Sequence, residues 1–194
     1  EDGHDVLGSR AISLVSGVDS LKIRMKDLTK DDTRRIMEAI ETLAAIQVHV
    51  VYAIGGQLAE AKEGLHALAE AGCKMAYIDY LQKIRGSGAD RRNEVAGGFT
   101  ALQAEAAKLD MAAMFVSQVA RRPDMSQPPR RWNLKESGDL ENEARLIVML
   151  HREQGSTIVG GLIDKSTYGG EDRTFKMERD GYGLREVRDT QEDF

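Results

Sequence analysis

Cysteine and long apolar runs are scarce in this 194-residue chain, and a loop that could cradle a triphosphate is missing. No apolar stretch approaches the roughly 18–20 residues of a membrane span, so no membrane partner is expected. The single cysteine, Cys73, cannot form an internal disulfide and is read as a small packing residue. The four histidines, His4, His49, His66 and His151, lack the ligand spacing of a zinc site. A reducing, cytoplasmic setting is the expectation. The first residues, Glu1-Asp2-Gly3-His4-Asp5, are acidic and polar, unlike a secretory leader. Nowhere does Gly-x-x-x-x-Gly-Lys-Ser/Thr occur; the pairs Gly55-Gly56 and Gly160-Gly161 do not precede a helix bearing Lys-Ser/Thr.

What is present is the composition of a folded domain, with 41% hydrophobic and 30% charged residues. The net charge of −5 argues mildly against nucleic acid when taken alone. Positive charge is nevertheless concentrated, since Arg121, Arg122, Arg130, Arg131 and Lys135 share one stretch with a single acid, Asp124.

Asp5–Val18 reads as a helix. Thr29 reads as an N-cap, with Asp31 and Asp32 in the first turn of a helix whose apolar stripe is Ile36, Met37, Ile40 and Leu43. The β-branched run Ile46–Tyr52 predicts a strand, broken by Gly55-Gly56. An Ala-rich helix, Leu58–Glu70, precedes a buried strand, Met75–Ile78, that ends at Asp79. After a polar loop, Val95, Phe99, Leu102, Ala106 and Leu109 recur at intervals of 4, 3, 4 and 3, the period of a helix. Met111–Val116 predicts a strand ending in Ser117-Gln118, and Leu146–Leu150 another. Thr157–Ile163, Arg173–Glu178 and Leu184–Val187 alternate and predict antiparallel strands. Strands interleaved with helices imply an α/β fold with a mainly parallel sheet flanked by helices, here with antiparallel C-terminal strands. One domain is expected over residues 1–194. Ligands in such sheets bind beyond the carboxyl ends of strands, where Asp79 and Gln118 fall.

A strand-terminal Asp suits a Mg²⁺ shell, and equally a turn cap. A strand-end Gln is most often simply solvated. Each arginine of the basic stretch, taken singly, fits an ordinary solvated loop, and Glu1 taken alone is only a chain end.

The strings around these residues are more specific. Tyr77-Ile78-Asp79-Tyr80-Leu81-Gln82 resembles the Walker B segment of DnaB-type replicative helicases. Phe115-Val116-Ser117-Gln118 is similar to that family's sensor strand, and Leu134-Lys135-Glu136-Ser137-Gly138-Asp139-Leu140-Glu141 to its DNA-binding motif. Lys165-Ser166-Thr167-Tyr168-Gly169 aligns with its Lys-x-Arg-x-Gly hairpin. The resemblance covers nearly the whole chain. It implies a RecA-like ATPase core that unwinds duplex DNA, translocating on single-stranded DNA as a homo-hexameric ring, with ATP and Mg²⁺ as cofactors and primase and a helicase loader as further partners. It implies Asp79 at Mg²⁺, Glu1 as general base, Gln118 as γ-phosphate sensor and Lys165 at the neighbouring subunit's nucleotide. It places Lys135, Glu136 and Gly138 on single-stranded DNA, with Arg121, Arg130 and Arg131 adding to the same groove.

Two departures stand out. Thr167 occupies the arginine-finger position, so either Arg173 substitutes or hydrolysis is weakened. The P-loop is absent, and the expectation is that it lies upstream of Glu1, leaving the 194-residue piece inactive alone. A RecA/RadA-like recombinase shares the sheet and the sensor glutamine but fits Asp79–Gln82 and Glu136–Gly138 less well. A degenerate DNA-binding or ring-partner module would account for both departures.

Overall fold

The computed structural model describes residues 3–46, 48–86, 90–120, 127–134 and 140–187. By contacts the chain divides into two compact units, one of residues 1–48, 152–160 and 175–194, the other of residues 49–151 and 161–174.

In the first unit, α1 (His4–Ser16) packs on α3 (Lys30–Ala45), with α2 (Ser20–Met25) between them in sequence. α1 stops at Gly17, whose φ of 65° is open to glycine, and whose N–H donates to Ser13 O at 2.9 Å. The Ser13 hydroxyl donates to Val18 O at 2.7 Å, which fixes the turn and buries Val18. Thr29 caps α3 as expected: its hydroxyl oxygen accepts the Asp32 N–H while the Asp32 carboxylate accepts the Thr29 N–H. The Thr29 N–H, and then the Thr29 hydroxyl donating to Asp32 Oδ2 at 2.9 Å, hold the Asp32 carboxyl below its ordinary range. The apolar stripe expected on α3 is only half right. Ile36 and Leu43 are half-buried and Ala39 is buried, but Met37 and Ile40 are exposed. The buried side is rotated toward Arg35, whose guanidinium donates to Ser16 O at the end of α1.

The second unit holds α4 (Leu58–Glu70), β1 (Met75–Ile78), α5 (Arg91–Lys108), β2 (Ala112–Phe115), α6 (Leu140–Glu143) and β3 (Leu146–His151). β1 and β2 pair in parallel, Met75 opposite Ala112 through Ile78 opposite Phe115. The periodic face of α5 is the core, with Val95, Phe99, Leu102 and Ala106 all buried. Leu102 and Ala106 join Leu65, Ala76, Ile84 and Met111 in one cluster, and Val95 and Phe99 join Leu81 and Leu140 in another. Phe99 meets Phe115 edge-on with ring centroids 4.7 Å apart. The other face of this small sheet is apolar and, among the described residues, uncovered: Met75, Tyr77, Met114 and Val116 are exposed, Tyr77 at 67%.

A four-stranded sheet is ordered β3-β4-β5-β6, with β4 Ile158–Ser166, β5 Thr174–Asp180 and β6 Gly183–Val187. β5 and β6 are antiparallel, as the alternation predicts. The strand expected over Ile46–Tyr52 is not one. Among the described residues this segment pairs with no strand, and Val48, Val50 and Val51 are exposed. Composition favours extended backbone there, but a strand requires a neighbour to receive its N–H and C=O groups. The parallel part of the fold, among the described residues, is therefore β1 and β2.

Candidate functional site

Asp79 and Gln118 leave the same end of two neighbouring strands. Val116 N–H donates to Ile78 O at 3.0 Å and Leu81 N–H to Val116 O at 2.9 Å, so the chain beyond Asp79 stays beside the chain leading to Gln118. Leu81 is fully buried, which anchors this crossing, and the Asp79–Tyr80 peptide is cis. Asp79 and Gln118 are themselves exposed.

Gln82 ties the two ends together. Its Nε2 donates to Ser117 Oγ at 2.9 Å, and its Oε1 accepts the Gln118 N–H at 3.1 Å. Gln82 stands inside the Tyr77–Gln82 motif, which assigns it no role of its own. Its only sequence signal is its place three residues after Asp79. The loop carrying it is braced by Arg91, which donates to the Gln82 carbonyl, to Ile84 O at 3.2 Å and to Glu94. Glu94 also accepts the Gly86 N–H, and the Arg91 bond, then the Gly86 bond, hold its carboxyl below the usual range. Gly56 closes the other side. Its φ is +67°, its carbonyl accepts the Arg85 N–H at 2.6 Å, and a Cβ there would meet Lys83 O at 2.6 Å.

From Gln118 the chain enters a loop whose two feet pair. Val119 bridges Leu134, and Ala120 N–H donates to Asn133 O at 2.8 Å. Arg121 lies outside the described residues, as do Glu1, Lys135, Glu136 and Gly138. Trp132 is exposed. Arg130, expected on an electropositive groove, is instead engaged by two carboxylates. Its Nη1 lies 2.8 Å from Asp164 Oδ1 and 2.7 Å from Asp172 Oδ1. The Asp164 bond first, and then the Asp172 bond, raise the Arg130 pKa. Arg131 adds a backbone N–H to Asp164 Oδ2 and a guanidinium bond to Asp164 O at 3.2 Å.

Lys165 donates from Nζ to Glu141 O and Asn142 O, each at 2.7 Å, and so caps the carbonyl end of α6. Reaching another subunit's nucleotide would require exchanging those partners. Thr167 and Arg173 are exposed, and Thr167 N–H donates to Arg145 O at 2.9 Å.

Among the described residues no group of three His, Cys, Asp or Glu side chains could hold a metal ion. Asp79 alone still suits Mg²⁺, an ion often bound through one or two carboxylates, waters and the substrate's phosphates. A nest of phosphate-binding N–H groups with its lysine is not in this sequence, so the residues present fit the metal side of a nucleotide site and not its phosphate side. No helix among the described residues is long and apolar enough to cross a membrane.

Comparison with known proteins shows the family of the chain. The chain is 27% identical over 164 residues to a probable plasmid replicative DNA helicase of Chlamydia trachomatis, covering 82% of this chain and 36% of that protein. It is 27% identical over 159 residues to the replicative DNA helicase DnaC of Bacillus subtilis, covering 79% of this chain and 35% of that one. The replicative DNA helicase DnaB of Rickettsia prowazekii is 28% identical over 165 residues, 79% of this chain and 33% of its own. The chain thus spans about a third of the length of these relatives. The solved structure of a DnaB-like replicative helicase, described with its interactions with primase, superposes with a TM-score of 0.84 at 22% identity, over 97% of this chain and 50% of that one. The fold is therefore that of the helicase's RecA-like domain. The family model for the DnaB-like helicase C-terminal domain matches residues 1–170, and the chain belongs to that family.

Proposed function

We propose that this chain is part of the motor of a ring-shaped replicative helicase, which hydrolyses ATP and moves along single-stranded DNA to unwind duplex. The observation that carries the reading is the junction of Asp79 and Gln118 at one end of β1 and β2, bridged by Gln82. A carboxylate at that rim holds the Mg²⁺ shell, which when bound supplies positive charge against the transferring phosphoryl group. An amide at the neighbouring strand end donates to the γ-phosphate or its attacking water without adding charge. Because Gln118 is followed at once by the loop Val119–Leu134, displacement at the nucleotide reaches the loop within a few residues. Glu1 serves as general base for the water. Lys165 leaves the α6 carbonyls to meet the nucleotide of the next subunit. Arg121, Lys135, Glu136 and Gly138 follow the DNA backbone, where charge and exposed N–H groups suffice.

In the full-length protein we place ATP and Mg²⁺ at subunit interfaces of a homo-hexamer in the cytoplasm, with primase and a loader as partners. The primase proposal rests on the likeness to a helicase whose description names it.

The test is the ATPase rate of the full-length product of the reading frame, with and without single-stranded DNA. DNA-stimulated turnover, abolished by Asp79→Ala, is expected. Undiminished turnover in that variant would remove the Mg²⁺ assignment. Thr167 at the arginine-finger position favours a second reading, a degenerate ring-partner module. DNA binding without turnover in the full-length product would select it.

A further inference from the structure

We propose that Arg130 is a positioning residue and not a phosphate contact: with Asp164 and Asp172 it pins the base of the Val119–Leu134 loop to the 163–173 turn. The proposal deepens the functional reading above and rests on its claim that this loop serves single-stranded DNA.

Three observations converge on the pin. The Asp164 side chain is only 3% exposed, and a buried carboxylate is tolerated when it is paired and hydrogen-bonded. Both of its oxygens are used, Oδ1 by the Arg130 guanidinium and Oδ2 by the Arg131 N–H. Asp172 holds the same Nη1 from the other side. Its backbone is fixed at φ 60°, with its N–H donating to Ile163 O at 2.8 Å. Arg130 is also oriented from its own loop, since its N–H donates to Asn133 Oδ1 at 2.8 Å. With the Arg131 guanidinium on the Asp164 carbonyl, two arginines face two carboxylates and the cluster carries no net charge. A phosphate approaching it meets no surplus of positive charge, so the side chain is poorly suited to hold DNA directly.

The position of the pin gives it consequence. The loop it holds begins one residue after Gln118 and ends at Leu134, directly before Lys135. The turn it grips contains Lys165, whose ammonium caps α6, the helix that follows the Lys135–Gly138 stretch. Arg130 thereby joins the segment carrying the candidate phosphate sensor's loop to the segment carrying the candidate trans-acting lysine. Releasing it should loosen the loop without removing a DNA contact.

The experiment measures anisotropy of a fluorescein-labelled oligo-dT bound by the full-length protein across a salt titration. A direct phosphate contact and a pin give opposite signs. If Arg130 touched phosphate, Arg130→Gln would lower the slope of log K against log salt by about 0.7. Asp164→Asn, which removes a negative charge beside it, would then tighten binding. Under the pin, Arg130→Gln and Asp164→Asn each weaken binding by about three- to tenfold with the slope unchanged. The double variant is then no weaker than the worse single one, and Arg130→Lys recovers affinity toward wild type. Asp172→Asn sits at an exposed side chain, so its folding is not at stake, and it should also weaken binding. Tighter or unchanged binding in the two Asp variants, or a lowered slope in Arg130→Gln, overturns the pin alone. Failure of the wild-type protein to bind the oligonucleotide overturns the DNA reading and the pin with it.

Discussion

Replacing Gln82 by alanine removes the amide that spans the two strand ends, and the geometry sets the size of the effect. Two bonds disappear, one to Ser117 Oγ at 2.9 Å and one from the Gln118 N–H at 3.1 Å. Each contributes about 0.5–1.5 kcal/mol net, so the pair has a ceiling of about 3 kcal/mol. Gln118 is exposed and Ser117 half-buried, so water takes over part of both bonds. The expected loss is accordingly near the lower end, about 1–1.5 kcal/mol. The assay is urea unfolding of the chain followed by circular dichroism, on Gln82→Ala, Ser117→Ala and the double variant. Ser117→Ala removes only one of the two bonds, so the cycle should return a coupling of about 0.5–1 kcal/mol. Under the proposed function, the same substitution in the full-length protein should lower kcat for DNA-stimulated hydrolysis with little change in the nucleotide KM, because the strand ending at Gln118 loses its register with Asp79. Additivity within about 0.3 kcal/mol, together with a Gln82→Ala stability equal to wild type, would refute the bridge.

Leu102→Ala empties a side chain that is 0% exposed between Leu65, Ala76 and Ile84, and should cost about 2–5 kcal/mol in the same unfolding measurement. Thr29→Ala removes the cap of α3 and should cost about 1 kcal/mol. It should also flatten part of the acid limb of the stability profile, because the hydroxyl donor to Asp32 is lost while the backbone N–H at position 29 remains. Asp32 has a folded pKa below its ordinary 3.8, so its contribution is present above that value and lost as pH falls through the lower folded value. An unchanged acid limb in Thr29→Ala would contradict the assignment. Gly56→Ala forces a left-handed residue to carry a Cβ 2.6 Å from Lys83 O. A midpoint shift equivalent to more than about 1 kcal/mol is expected, since the backbone oxygen cannot move aside cheaply.

The parts of the molecule that were legible in advance are those whose signal is local. The α5 face announced itself through Val95, Phe99, Leu102 and Ala106, and the α3 start through Thr29, because helix period and cap chemistry act over a few residues. The strand-end positions of Asp79 and Gln118 were legible because each closes an apolar strand, while the roles proposed for them come from the family resemblance. What escaped depends on distant partners. The carboxylates that claim Arg130 lie 34 and 42 residues further along, so a run of arginines looks identical whether its charge is free or spoken for. Gln82 meets Ser117 across 35 residues. The Ile46–Tyr52 run shows the converse: intrinsic preference for extended backbone does not supply a ladder partner, and Val48 stays 70% exposed.

The bare side of the β1–β2 pair carries a further implication for handling the molecule. Tyr77, Met75, Met114 and Val116 present a greasy stripe to water where a parallel α/β sheet covered on both faces would carry helices. Preparations of this polypeptide should clump as concentration rises, and a detergent or a companion surface that wets the stripe should keep them apart.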